Sequence, residues 1–275
     1  MKKIIHIYLV SDSTGETVSS VARSSLAHFE NIIVEEHLWS LVRTKGQIDR
    51  LASSLQKNHG IVMFTVVNEE LQQYLLETCS KLQILAIPIL SEVVATISSY
   101  LGVKSISQPG RQHVMNEEYF TRINAINFAL THDDGQSYFD INNADIVLVG
   151  PSRTSKSPTS IYLAYRGYKT ANIPFVAGQK LPKILDTLVN PLIVGLLLNP
   201  ERLVEIRKNR LINLNEVTNY NYTDNDLVYK EVAEAKKIYQ QHGWPIIDVT
   251  RKSVEETSAN IIKMYEQRRV KLTRD

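Results

Sequence analysis

Cysteine is almost absent: Cys79 is the only one in 275 residues. That excludes an intrachain disulfide and a cysteine-based zinc cluster, and it fits a reducing compartment. In LETCSKL the residue reads as a small apolar filler on a helix. An excess of charge of one sign is also missing. The 31 Lys and Arg against 29 Asp and Glu leave a formal charge of +2, which advertises neither a nucleic-acid nor an anionic-membrane partner. Glycine (11) and proline (9) are sparse while hydrophobic residues reach 43%, so disordered and collagen-like classes are excluded. No run approaches the ~20 apolar residues of a membrane helix. The nearest, NPLIVGLLLNP, is closed by Asn and Pro at both ends. The opening MKKIIHIYLVSDS has too short an apolar stretch for a secretory signal and no small-residue cleavage pair. The expectation is a folded cytoplasmic protein.

What the chain does have is alternation. KIIHIYLV, NIIVEEHLW, IVMFTVV and ILAIPIL read as strands, separated by helical patterns after SDSTGET, over GQIDRLASSLQKN and over NEELQQYLLETCSKL. SEVVATISSYLG follows as a helix with Gly102 as its C-cap. VKSISQPGRQ, with Pro109-Gly110, loses the periodicity and marks a linker. Beyond it, NEEYFTRINAINFALTH predicts a helix, and ADIVLVG, TANIPFV, LIVGLLL and PIIDV predict strands. Helices are expected over PTSIYLAYRGY, around KILDTLV, over PERLVEIRKNRL, over YKEVAEAKKIYQQHG and over SVEETSANIIKMYEQRR. Such alternation predicts an α/β protein with mostly parallel sheets covered on both faces. A chain this long is near the size at which one core divides. Two lobes are expected, an N-terminal α/β lobe over 1–110 and a C-terminal nucleotide-binding α/β lobe over 111–275, with no internal sequence repeat.

The richest segment is Gly150-Pro151-Ser152-Arg153-Thr154-Ser155-Lys156-Ser157, between a strand and a helix. It follows the phosphate-binding pattern G-x-x-x-x-G-K-[ST], with Ser155 in place of the second Gly. Loop N–H groups and a helix N-terminus offer donors and partial positive charge to an anion. Lys156 adds a point charge on a transferring phosphate, Arg153 a second cation, and Ser157 a hydroxyl for a phosphate oxygen or Mg2+. Pro158 suits the first helical position and makes Ser157 the expected N-cap. The plainer alternative is a Ser-Pro helix start carrying two exposed basic residues.

A second constellation, Ser11-Asp12-Ser13-Thr14-Gly15-Glu16-Thr17, lies at another strand-to-helix turn. The hydroxyls of Ser11, Ser13, Thr14 and Thr17 beside Gly15 make a cradle for a substrate phosphate, and S-T-G-E-T is similar to the phosphate loop of flavodoxins. Capping by Ser13 or Thr14 alone is the simpler reading, but one cap needs only one such residue. A carboxylate at a phosphate site has work other than charge attraction, so Asp12 is a candidate to take a proton or hold a metal ion.

Other groups compete for these roles. His132-Asp133-Asp134-Gly135 reads as a helix stop and an Asp-Gly turn, with Asp133 a candidate acid/base. Asp248 ends the strand PIID, either as a metal-holding carboxylate or as a cap of the following loop. Ser253 and Glu256 form a capping box for the last helix. His6, His28, His37, His59, His113 and His242 are scattered without ligand spacing, so no metal site is expected. Arg207, Lys208 and Arg210 read as a solvated basic face, and RRVKLTRD as a basic tail.

LVGPSRTSKSP with its trailing YLAYRGYKTANIPFV, the opening VSDSTGET, the HDDG turn, NPERLVEIRKNR and PIIDVTRKSVEET together resemble the bacterial pyruvate, phosphate dikinase regulatory proteins across nearly the whole chain. That resemblance implies a bifunctional serine/threonine kinase and phosphorylase. Such an enzyme phosphorylates a dikinase threonine with ADP as donor, and removes that phosphate with inorganic phosphate, releasing pyrophosphate. A sister branch acts on phosphoenolpyruvate synthase; SDSTGET looks more like the dikinase branch. The resemblance places ADP on Gly150 to Ser157, where Ser157 replaces the usual Thr and Pro151 stands where a small β-branched residue is common. Asn124 and Asn127 stand where acidic residues are expected. The catalytic expectations are Lys156, Asp12 and Asp133. ADP and phosphate are expected as substrates, with no resident cofactor, Mg2+ as a compatible ion, the dikinase as protein partner and a homodimer as the assembly. The rival readings are a phosphate-loop kinase of a small metabolite, a flavodoxin-like binding module, and a nucleotide-sensing partner that does no chemistry.

Overall fold

The computed structural model describes residues 3–106, 117–214 and 220–272, with 213–214, 220–221 and 272 described in backbone only. The chain divides into two compact units, Met1–Val114 and Met115–Asp275. Part of the expected linker, including Pro109 and Gly110, lies outside the described residues, as do His113 and the last three residues of the basic tail.

The first unit runs β1 (Lys3–Ser11), α1 (Glu16–Leu26), β2 (Ile32–Trp39), α2 (Lys45–Lys57), β3 (Gly60–Thr65), α3 (Glu69–Lys81), β4 (Ala86–Pro88) and α4 (Ser91–Leu101). All pairings are parallel, in the order β2-β1-β3-β4. One sheet face packs Tyr8, Val10 and Phe64 against Leu51, Leu55 and Leu75 of α2 and α3, and the other packs Ile7 and Leu9 on Val18 and Ala22 of α1. Cys79 is buried in the first of these layers, and burial pushes its thiol up to about 11, as suits an inert filler. Asn68 starts α3 by accepting the Leu71 N–H at 2.9 Å, and Gly102 closes α4 in the left-handed region (φ 67°).

The second unit runs α5 (Glu117–Thr131), a 3-10 turn (Asp133–Gly135), β5 (Ile146–Gly150), α6 (Lys156–Tyr165), β6 (Thr170–Pro174), a 3-10 turn (Lys183–Thr187) and β7 (Leu192–Leu197). It continues through α7 (Pro200–Leu214), α8 (Tyr220–Thr223), α9 (Asn225–Gln241), β8 (Ile246–Asp248) and α10 (Val254–Leu272). Its sheet is again parallel, in the order β6-β5-β7-β8. Every residue of β5 and β7 is buried, which is why both read as unbroken apolar runs. Gly195 in β7 has a packing reason: a Cβ there would lie 2.2 Å from the Tyr239 ring of α9.

Several helices differ from expectation in their extent or start. KILDTLV forms a 3-10 turn, too short for an α-helix. α9 begins earlier, at Asn225, because Asp224 accepts the Leu227 N–H at 3.0 Å. Gly15, in the left-handed region (φ 87°), precedes α1, in place of a Ser13 or Thr14 side-chain cap. Among the described residues no helix is long and apolar enough to cross a membrane. In both sheets the first strand sits between the second and third. The loops after β1 and β5 therefore leave the sheet at its topological switch point, where α/β folds place their ligand crevice.

Candidate active site

The loop after β5 is built on backbone conformations that few side chains favour. Arg153 (φ 73°) and Ser155 (φ 61°) are both left-handed, at about 1 to 2 kcal/mol each for a residue with a Cβ. Ser155 therefore holds the conformation for which the phosphate-loop pattern usually supplies glycine. Left-handed residues in such loops are one way a backbone turns successive N–H groups toward a common concavity. Gly150 keeps the loop tight: a Cβ there would meet Thr154 Oγ1 at 2.6 Å and the Leu196 carbonyl at 2.9 Å. The Pro151 carbonyl accepts from Thr154 Oγ1 at 2.9 Å and from Lys156 Nζ at 3.1 Å.

The helix starts two residues earlier than Pro158 suggested. α6 begins at Lys156 with Ser155 before it, so Pro158 is its third residue, where the N–H is still unneeded. Ser157 is consequently not the N-cap. Its hydroxyl donates to Asp133 Oδ1 at 2.8 Å. Asn172 of β6, fully buried, donates to the same oxygen and accepts the Asp134 N–H at 2.9 Å. Asp133, Ser157 and Lys156 thus form one constellation. Lys156 is 5% exposed, and burial lowers its ammonium to about 8, opposed by the negative charges of Asp134, Asp133 and Glu231 and reinforced by Arg207. Lys156 is thus a largely dehydrated cation packed against its own loop.

Arg207 corrects the reading of a solvated basic face. It is 3% exposed, pairs with Glu231 of α9 through two hydrogen bonds of 2.7 and 3.1 Å, and donates to the Ser152 carbonyl at 3.2 Å. Its guanidinium stacks 4.5 Å over Tyr222, whose hydroxyl meets Ser152 Oγ at 3.1 Å and Arg153 Nε at 3.3 Å. Lys208 and Arg210 are exposed, as expected. Arg207 is therefore a buttress that ties the loop after β5 to α9.

The loop after β1 lies in the other unit. Asp12 is 2% exposed; its Oδ2 accepts the Val67 N–H at 2.7 Å and its carbonyl accepts from Arg43 Nε at 2.9 Å. Burial raises its carboxyl above the usual range, against the lowering effect of the Val67 hydrogen bond and Arg43. The Ser11 hydroxyl is spent internally, accepting from the Ser13 N–H at 3.1 Å and from Thr65 Oγ1 at 3.0 Å. Ser13, Thr14 and Thr17 are partly or fully exposed around buried Gly15.

Outside these loops, His132 is a buried, satisfied histidine, held by Phe128 O at 2.8 Å and Asp140 Oδ1 at 2.7 Å. Asp248 is exposed and caps its own loop by accepting from Thr250. The Ser253–Glu256 capping box is formed in both directions. Asn124 and Asn127 lie on the exposed side of α5, whose buried side is Ala125 and Ala129. The spacing missed Asn172, Arg207, Glu231 and Tyr222. Only Asn172 carried a signal, as an amide in the middle of the apolar strand TANIPFV.

The chain matches the sequence model of a family described as kinase/pyrophosphorylase over residues 7–262. It is 47% identical over 270 residues to a pyruvate, phosphate dikinase regulatory protein of Erythrobacter litoralis, covering 98% of this chain and 97% of that one. A protein of the same name in Maricaulis maris is 48% identical over 264 residues, 96% of this chain and 94% of its own. Another in Anaplasma phagocytophilum is 47% identical over 275 residues, 100% and 98% of the two chains.

Proposed function

The chain belongs to the kinase/pyrophosphorylase family, and from that premise we propose that it is a bifunctional regulator of pyruvate, phosphate dikinase. In one direction it transfers the β-phosphoryl of ADP to a threonine hydroxyl of the dikinase, leaving AMP. In the other, inorganic phosphate attacks the phosphothreonine phosphorus, restoring the hydroxyl and releasing pyrophosphate. The observation that carries this reading is Lys156, a buried cation at the mouth of a left-handed loop, whose charge Asp133 and Asp134 support.

The loop of Gly150 to Ser157 would hold the ADP phosphates on its N–H groups, with Lys156 and Arg153 offsetting the charge that builds on the transferred group. Because such transfers need little covalent help, a carboxylate has only to orient the nucleophile. Asp133 suits that role in the second unit, since Ser157 and Asn172 already hold one of its oxygens in place. Asp12 suits it in the first, beside the Ser13, Thr14 and Thr17 hydroxyls that would receive a substrate phosphate. Mg2+ would add charge neutralisation to the phosphates when bound, and the Ser157 hydroxyl is the side chain on the loop that would hold it.

The direct test is Lys156→Ala in an ADP-dependent transfer assay on the dikinase. Loss of a charge-assisted phosphate contact lowers transfer by ~10- to 100-fold, about 1.5 to 3 kcal/mol. Unchanged transfer removes this loop from the mechanism. Phosphate transfer from the nucleotide without the dikinase present would instead favour a small-metabolite kinase.

A further inference from the structure

Six of the seven histidines lack ligand spacing along the chain, yet the parallel register of the first sheet brings two of them together. His6 on β1 stands opposite Glu35 on β2, and Tyr8 opposite His37, so all four side chains share one face. His6 Nδ1 lies 3.1 Å from His37 Nε2 and 3.3 Å from Glu35 Oε2, and the three ligand atoms all fall within 4.8 Å of one another. In tetrahedral zinc sites, bonds of 2.0 to 2.1 Å put neighbouring ligand atoms about 3.3 to 3.4 Å apart. Two of the three edges already have that length to within a few tenths of an ångström. The third needs only rotation of Glu35, which is 51% exposed.

We propose that His6, Glu35 and His37 form a binding site for a divalent first-row transition cation of the Zn2+ type, tying the edge strand β2 to β1. The donor set of two imidazoles and one carboxylate suits Zn2+ and excludes Mg2+, which takes oxygen ligands in octahedral geometry. Hydrogen bonding alone satisfies the cluster poorly. Two imidazole nitrogens and a carboxylate oxygen converge as lone-pair donors, and a proton on His6 Nδ1 would have to be divided between both neighbours, whereas one cation meets all three. The rings are also pre-oriented. His37 stacks on Tyr8 with centroids 4.5 Å apart, and Tyr8 is fully buried and anchored through its hydroxyl to the carbonyls of Ser54 and Asn58, at 3.2 and 2.9 Å. Three protein ligands leave a coordination position for water. The cluster lies at the β1–β2 edge of the sheet, five residues along β1 from the Ser11 loop, so the proposal stands or falls independently of the phosphotransfer reading.

The test uses the full chain, freed of metal with a chelator and titrated with Zn2+, with Mg2+ as control, by calorimetry and by hydrogen exchange of the β2 amides. One Zn2+ per chain, bound at least 10-fold more weakly by Glu35→Gln and without measurable site binding in His37→Ala, is the expected result, together with Zn2+-dependent slowing of exchange confined to β1 and β2. Co2+ bound to the same site gives intense visible absorption that His37→Ala abolishes. Glu35→Gln keeps shape at a half-exposed position, so it decides the matter should His37→Ala fold poorly. Wild-type protein that binds no Zn2+, or variants that bind it as tightly as wild type, would overturn the proposal.

Discussion

Replacing Lys156 by Met separates the function of the phosphate loop from its stability. Burial lowers the Lys156 ammonium from 10.5 to about 8, which corresponds to about 3 kcal/mol against the charged form at neutral pH. Met fills a similar volume without a charge to bury, but it gives up the hydrogen bond from Lys156 Nζ to Pro151 O, worth about 1 to 2 kcal/mol. The free Lys156→Met protein is therefore more stable than wild type by about 1 to 2 kcal/mol. Its unfolding midpoint rises by roughly 2 to 8 °C, at about 2 to 4 °C per kcal/mol for a protein of this size. Between pH 8 and 10.5 the unfolded wild-type chain binds more protons than the folded one, so wild-type stability climbs with pH over that window and the advantage of Met fades. ADP offsets that advantage at neutral pH: at a hundredfold excess over its wild-type Kd it stabilises wild type by about 2.7 kcal/mol, and Lys156→Met, binding ~10- to 100-fold more weakly, by only about 0.4 to 1.4 kcal/mol. Calorimetric melts at pH 7 and 9.5, with and without ADP, read all four quantities. A free variant less stable than wild type at pH 7 would mean instead that Lys156 stabilises the fold.

Two further substitutions probe the groups around it. Glu231→Gln leaves Arg207 buried without its carboxylate, which destabilises by about 3 kcal/mol and loosens the loop behind Ser152; urea denaturation should show a lower midpoint, and joint replacement of Arg207 by Met and Glu231 by Leu should recover most of it. Asp133→Asn removes one of the charges that hold the Lys156 ammonium up to about 8, so the alkaline limb of the pH profile for transfer moves to lower pH, while a variant that merely loosened packing would lower the rate at every pH alike.

Much of the architecture could be read from the chain because its strands are of two extreme kinds. β5 and β7 are buried along their whole length and appear as apolar runs, and turn residues punctuate the helices between them. ILAIPIL, by contrast, is apolar over seven residues yet pairs only over Ala86–Pro88, at the edge of its sheet. The strand-loop-helix setting of Gly150 to Ser157 was legible from its spacing. Its support was not. Periodicity assigns an arginine on α7 to solvent, and only the carboxylate of Glu231, 24 residues later, makes burial of Arg207 tolerable. The pairing of His6 with His37 arises from strand register across 31 residues, which no local spacing encodes.

Under the proposed function a dikinase threonine gains its phosphoryl group from ADP and loses it, by a second reaction, to inorganic phosphate. Intact-mass measurement of the dikinase after incubation with this protein tests it most directly, starting once from the unphosphorylated dikinase with ADP and once from the phosphorylated dikinase with inorganic phosphate. The expected result is the gain of one phosphoryl group in the first reaction and its loss, with pyrophosphate formed, in the second, both abolished or strongly slowed by Lys156→Ala. An unchanged dikinase mass in both directions would contradict it.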